Sequence, residues 1–183
     1  MEGKILNNLS GDVYNSGAVN KDNLDEKILA AAAETVRLLA EKNKTITTAE
    51  SCTGGMLGAA LTEISGVSAY YKEGVITYSN EAKMKFLGVR RETLEKYGAV
   101  SSKTAVEMAS GAMESAKSDI SVAITGIAGP LGDTREKCVG LVYICVKIGD
   151  NHRVEKHIFD GERHVVRQKS TLCALNTVIK MIK

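Results

Sequence analysis

"KTITTAESCTGGMLGAALTEIS", Lys44 to Ser65, is the stretch whose reading decides the fold. It opens as a short β-type run rich in Thr and Ile, "KTITTAE". From Gly54 it becomes a helix of small residues, "GGMLGAALTEIS". Between the two lie Ser51, Cys52 and Thr53, followed by Gly54 and Gly55. Such a segment serves either to attack a substrate or to hold one.

The same alternation continues outward. Upstream, Leu24, Ile28, Leu29, Ala32, Val36 and Leu39 recur at helical spacing, with Asp22 or Asn23 available as the cap. Downstream, "YYKEGVITYS" reads as a strand, Asn80 opens a short helix over "EAKMKFLG", and "RRETLEKYG" forms another. "SSKTAVEMASGAMESAKS" is a helix capped by Ser101 or Ser102, with Val106, Ala109 and Met113 on its buried stripe. "DISVAITG" is a buried strand that runs into the glycine-rich loop "GIAGPLGDTREKCVG". The strands "LVYICVKI" and "RVEKHIFD" follow. A last helix carries Val165, Leu172, Leu175, Ile179 and Ile182. The pattern predicts one three-layer α/β/α domain with a mixed, mostly parallel sheet over 24–183. Residues 1–23 read as a flexible arm with one short strand at "GDVYN".

Bulk composition excludes several classes. The 183 residues are 44% hydrophobic and 25% charged, which suits a globular domain. No apolar run approaches the roughly 20 residues of a membrane helix, and the N-terminus lacks signal-peptide organisation. No membrane association and a cytoplasmic location are therefore expected. A net charge of +2 and 4% aromatic residues argue against nucleic acid as a direct partner. Cys52, Cys138, Cys145 and Cys173 form no C-x-x-C pair, so no structural zinc, metal centre or disulfide is expected.

In such sheets ligands sit beyond strand ends, where loops lead into helices. "TTAESCTGG", "TYSNEAK" and "ITGIAGPLG" all meet that description. Gly54 and Gly55, with the helix that follows, offer backbone N–H groups to an anion, and Ser51 and Thr53 add hydroxyls. A helix cap with a glycine turn has the same pattern. Cys52 has no histidine near it in sequence and reads as a buried, inert thiol. Lys83 falls in the first turn of its helix beside Tyr78. There the helix dipole and burial both favour the neutral amine, a base able to take a serine proton. A solvated surface lysine is the other reading. Thr125 ends a strand before the glycine loop. Lys137, Arg163 and Arg167 are cations that either meet a phosphate or lie solvated. No Walker pattern or G-x-G-x-x-G is present, so no nucleoside triphosphate or dinucleotide site is indicated.

The motifs "TTAESCTGG", "GVITYSNEAKMKFLGV", "YGAVSSKTAVEMASGA" and "AITGIAGPLGDTREKCVG" together resemble the C-terminal domain of the CinA proteins, from about Leu24 to the end. That family includes stand-alone nicotinamide-mononucleotide amidohydrolases. The resemblance implies hydrolysis of the carboxamide to nicotinate mononucleotide and ammonia in pyridine-nucleotide salvage. It implies a serine–lysine mechanism with no metal or cofactor. Carried over, it assigns Ser68 of "SGVSAYY" as nucleophile, Lys83 as base and Tyr78 as its assistant. Ser51 and Thr125 would line the amide and oxyanion region. The glycine loops, with Thr53, Gly54, Gly55, Gly126 and Gly129, would hold the ribose phosphate together with Lys137 and Arg163. A homodimer is compatible with the family, and the larger N-terminal domain of longer members is not expected.

One segment departs from the family pattern. Leu131, Asp133, Arg135 and Cys138 stand where the loop typically carries two glycines and two prolines. They add bulk and a negative charge near an expected phosphate site. Two other readings accompany this one: a non-catalytic interaction protein linked to competence or DNA repair, and an amidohydrolase of a different small amide.

Overall fold

The computed structural model describes residues 23–183. The expected arm and its strand at "GDVYN" lie outside the described residues, apart from Asn23. Helix α1 spans Leu24–Lys42, and Asn23 caps it by accepting from the Asp25 N–H at 3.0 Å. The other helices are α2 (Met56–Thr62), α3 (Asn80–Leu87), α4 (Arg91–Tyr97), α5 (Ser102–Ala116) and α6 (Arg163–Ile182). A 3-10 turn covers Val67–Ala69. The strands are β1 (Ile46–Glu50), β2 (Tyr71–Ile76), β3 (Ile120–Gly126), β4 (Leu141–Ile148) and β5 (Asn151–Ile158).

The five strands form one mixed sheet in the order β2-β1-β3-β4-β5. The three strands β2, β1 and β3 run parallel, and β4 and β5 add an antiparallel hairpin. Burial follows position. Every residue of β1 is buried and β3 is buried up to its last residue, whereas β2 and β5 at the edges alternate or lie largely exposed. Helices α1, α2 and α6 pack on one face around Leu39, Ile124, Ile144 and Leu175. Helices α3, α4 and α5 pack on the other around Ala49, Leu87, Met108 and Cys145. This is the expected three-layer α/β/α domain. Among the described residues no helix is long and apolar enough to cross a membrane.

Two buried stripes differ from the periodicity reading. In α5 the core residues are Ala105, Met108, Ala109 and Ala112, so only Ala109 of the expected set is fully buried. In α6 the core row is Val166, Ser170, Ala174, Leu175 and Val178, shifted toward smaller side chains. Helix α5 lies close to the backbone of Leu87, where a Cβ on Gly111 would meet the Leu87 carbonyl oxygen, and small residues permit that approach. The buried hydroxyls of Ser170, Thr171 and Thr177 are satisfied by the carbonyl four residues back, at 2.7–3.0 Å. Polarity therefore did not keep these residues out of the core.

Because β1, β2 and β3 are parallel, their C-terminal ends lie on one edge of the sheet. The backbone ties this edge together: Ser51 N–H donates to Ile124 O at 3.0 Å, and Thr77 N–H to Glu50 O at 2.8 Å.

Candidate active site

The turn after β1 is built around Glu50. Its side chain is 1% exposed and faces α2. Oε2 accepts from the Gly55 N–H at 3.0 Å and the Leu57 N–H at 3.1 Å, and Oε1 from the Gly58 N–H at 2.8 Å. Gly54 and Gly55 take φ of +60° and +93°, which L side chains rarely adopt. Gly58 permits a close approach, since a Cβ there would lie 2.7 Å from the Tyr71 hydroxyl. This corrects the expected anion cradle. The helix N–H groups that were to receive a ligand are already taken by the protein's own carboxylate, and the Gly54 N–H is donated to Ser51 O.

Strand β2 ends at Ile76, and Ser79, rather than Asn80, caps α3 by accepting from the Ala82 N–H at 3.1 Å. Lys83 follows in the first turn, 1% exposed. Its Nζ donates to Thr77 O at 2.7 Å and to Ser51 Oγ at 3.1 Å. Among the described residues no carboxylate pairs with it. Burial holds its pKa below the ordinary lysine value, an effect only partly opposed by the nearby Cys52 thiol. Ser51 itself is 7% exposed. The hydroxyls of Thr53 and Thr77, which flank this pair, are buried without a hydrogen-bond partner.

The pairing differs from the expected one. Ser68 lies exposed in the 3-10 turn before β2 begins, whereas Lys83 follows the end of that strand. A six-residue strand spans about 20 Å, so the two stand at opposite ends of the sheet. The partner of Lys83 is Ser51. Tyr78 makes no side-chain hydrogen bond with Lys83 either. Its side chain is exposed, and its hydroxyl accepts from Arg163 Nη2 at 2.7 Å.

The first turns of α6 reach over the same edge. Arg163 Nη1 donates to Gly129 O at 2.9 Å, while Arg167 Nε and Nη2 donate to Thr53 O at 3.1 and 2.7 Å. The two guanidiniums thus link the loops that follow all three parallel strands. Among the described residues neither pairs with a carboxylate. Arg163 is the first residue of α6, where the dipole disfavours positive charge. The two arginines line a cavity of about 730 Å³ together with Ala128, Gly129, Pro130 and Val139, a volume of small-molecule size.

Other expected residues are engaged elsewhere. Thr125 donates its hydroxyl to Ala99 O at 2.8 Å. Lys137 donates to Tyr97 O at 2.7 Å, satisfying a carbonyl at the end of α4. Gly126 ends β3, paired with Val142. Leu131, Asp133, Arg135 and Cys138 are all exposed and none of them lines the cavity. Cys52 is buried and its thiol is pushed up to about 12, mainly by desolvation. Sequence reasoning missed Glu50. The signal was a carboxylate at the end of a fully buried strand, directly before a glycine turn with N–H groups to satisfy.

Residues 29–182 match the CinA C-terminal domain family. A CinA-like protein of Kosmotoga olearia is 44% identical over 178 residues, covering 97% of this chain and 41% of that protein. The chain thus spans about two fifths of the length of such curated relatives. Among solved structures, the competence/damage inducible protein CihA of Agrobacterium tumefaciens superimposes with a TM-score of 0.83 at 40% identity, over 86% of this chain and 96% of that one. The competence damage-inducible protein A of Klebsiella pneumoniae gives 0.82 at 37%, over 84% and 95%. By family match, sequence identity and fold, the chain belongs to the CinA C-terminal domain family.

Proposed function

We propose that this chain hydrolyses the carboxamide of nicotinamide mononucleotide, with Ser51 as nucleophile and Lys83 as base. The observation that carries the reading is the hydrogen bond between Lys83 Nζ and Ser51 Oγ, made by a buried amine without a carboxylate partner. A lysine held this way loses its proton more readily than one in water, and its free lone pair then faces the serine hydroxyl.

In the forward step Ser51 Oγ bonds to the amide carbon as neutral Lys83 takes the hydroxyl proton. The charge moves to the carbonyl oxygen. Donors for it are at hand in the turn: among the described residues, no oxygen takes up the N–H of Cys52 or Thr53. The residue after a nucleophile commonly contributes such a donor. Lys83 then gives its proton to the departing nitrogen, the C–N bond breaks and ammonia leaves. Water attacks the acyl-enzyme, Lys83 accepts its proton, and Ser51 regains a hydroxyl as the acid departs. Arg163 and Arg167, which form no ion pair among the described residues and outnumber the one carboxylate of the cavity lining, Glu162, supply the charge that a nucleotide phosphate needs.

Ammonia release from nicotinamide mononucleotide by the purified chain tests this. Ser51→Ala should abolish it and Ser68→Ala should leave it near wild type. Full activity in Ser51→Ala would remove Ser51 from the role. A folded wild-type protein that releases no ammonia from the mononucleotide, its riboside or nicotinamide would favour a binding function over hydrolysis.

A further inference from the structure

On the far side of the sheet from β2, a second cluster of reactive side chains lies between β5 and α6. Alternation along β5 turns Glu155 and His157 to the face covered by α6, with Val154 on the other. Cys173 and Thr177 stand one turn apart on α6 and meet them. His157 Nε2 lies 3.1 Å from Glu155 Oε2 and 3.3 Å from Cys173 Sγ, and Sγ lies 3.7 Å from the same carboxylate oxygen. Thr177 Oγ1, whose proton is shared with Cys173 O, lies 3.2 Å from that carboxylate oxygen. Arg153 engages the other oxygen, Oε1, at 3.2 Å, leaving Oε2 turned to the cluster. The His157 ring stacks on Phe159 with centroids 5.0 Å apart, which holds the ring plane.

We propose that Glu155, His157 and Cys173 form a zinc-binding site that pins the outer strand to α6. Three observations carry it. The first is spacing. A point equidistant from the three donor atoms lies about 2 Å from each, the length of zinc bonds to nitrogen and oxygen and slightly short of a zinc–sulfur bond. Two ligands of a tetrahedral zinc stand about 3.4–3.6 Å apart, so occupation asks for movements of only a few tenths of an ångström. The second is chemistry. One thiolate, one imidazole and one carboxylate are a donor set suited to zinc and ill suited to calcium or magnesium. The third is access. His157 and Glu155 keep 28% and 21% side-chain exposure, so an ion and a fourth, water ligand can enter from solvent.

Charge and protons balance without a further reactant. Bonds form from the metal to Sγ, Nε2 and Oε2; the Cys173 thiol proton leaves to solvent, and the neutral imidazole keeps its proton on Nδ1. A doubly charged ion then faces two negative ligands, a neutral centre in a half-buried place. The site involves neither Ser51 nor Lys83, so its test is independent of amide hydrolysis. C-x-x-C spacing does not reveal it, because two ligands alternate on a strand and the third comes from a helix.

The test is a titration of the chelator-stripped full chain with Co²⁺. One equivalent should produce a near-ultraviolet thiolate-to-cobalt band and the intense visible bands of four-coordinate cobalt, both erased by adding Zn²⁺. Cys173→Ser and His157→Gln should each abolish the thiolate band and weaken binding more than about 100-fold, beyond the cost of losing an outer-shell partner. Cys138→Ser, at an exposed position, should change nothing. Zn²⁺ should also raise the unfolding temperature of wild type but not of Cys173→Ser. Absence of the thiolate band in wild type, or its persistence in Cys173→Ser, overturns the proposal, and the wild-type titration decides even where a variant fails to fold.

Discussion

The turn after β1 and the first turn of α3 each bury one charged side chain, Glu50 and Lys83, both 1% exposed. Their surroundings differ in kind. Glu50 receives three backbone N–H groups, on both of its oxygens, so its charge is spread into a helix terminus. Lys83 has one carbonyl and one hydroxyl, no carboxylate among the described residues, and a pKa lowered by burial. Burial alone does not distinguish scaffold from chemistry. The number and charge of the partners does: a compensated charge holds a loop, and an uncompensated one retains a reason to exchange its proton.

The largest effect should separate the two outright. Lys83→Met should lower ammonia release at least about 10³-fold while leaving thermal stability unchanged or higher, because a desolvated amine is replaced by an apolar chain of similar length. The pH dependence sharpens this. Since the folded-state pKa of Lys83 lies below 10.5, the neutral base accumulates as pH rises, and kcat/KM should climb to a plateau with a midpoint below 10.5. Between the folded and the ordinary value the unfolded chain binds more protons. This group's contribution to stability must therefore increase with pH across that window. Lys83→Met should lose that dependence. A midpoint at the ordinary value, or activity surviving in the variant, would break the comparison.

Glu50→Gln should act in the opposite sense. It puts an NH2 group among donors that need an acceptor, costing about 2–4 kcal/mol in denaturant unfolding. Activity at a temperature where the variant remains folded should fall far less than in Lys83→Met. A variant as stable as wild type would mean that the N–H groups find other acceptors and that Glu50 is not the clasp of this turn.

How far the sequence reached is clear from the same two residues. Strand and helix order was legible because Thr/Ile runs, glycine turns and cap residues are local signals, and Ser101 and Asn23 cap the helices they were expected to cap. Lys83 was legible for the same reason: a lysine in a first turn is at the wrong end of a helix. Its partner was not, because Ser51 and Lys83 are 32 residues apart and meet only where parallel strands end on one edge. Carrying a role onto Ser68 ignored which end of β2 that serine occupies. Glu50 was passed over because a carboxylate beside Ser and Gly reads as solvated until the strand that bears it is known to be central.

A smaller effect tests the cations that close the edge. Arg163→Ala and Arg167→Ala should raise KM for the mononucleotide about 10- to 100-fold, the scale of one or two charge-assisted hydrogen bonds. They should leave the phosphate-free riboside nearly unaffected. An equal loss on both substrates would assign the arginines to holding the loops through Gly129, Tyr78 and Thr53 rather than to a phosphate.

The smallest effect concerns Cys52, the residue beside the proposed nucleophile. Cys52 is the more intrinsically nucleophilic of the adjacent pair, but at physiological pH its thiol, pushed up to about 12, is protonated and packed in the core. Ser51, by contrast, has the amine. Cys52→Ala should therefore keep ammonia release within about threefold of wild type, losing only the packing of a small buried group. Iodoacetamide should not inactivate the wild-type protein through Cys52. Rapid inactivation blocked by the substrate, with alkylated Cys52 recovered by mass spectrometry, would reverse the assignment and make the thiol the attacking group. Whichever side chain attacks must face the lone pair of Lys83, and the hydrogen bond from Nζ runs to the serine oxygen.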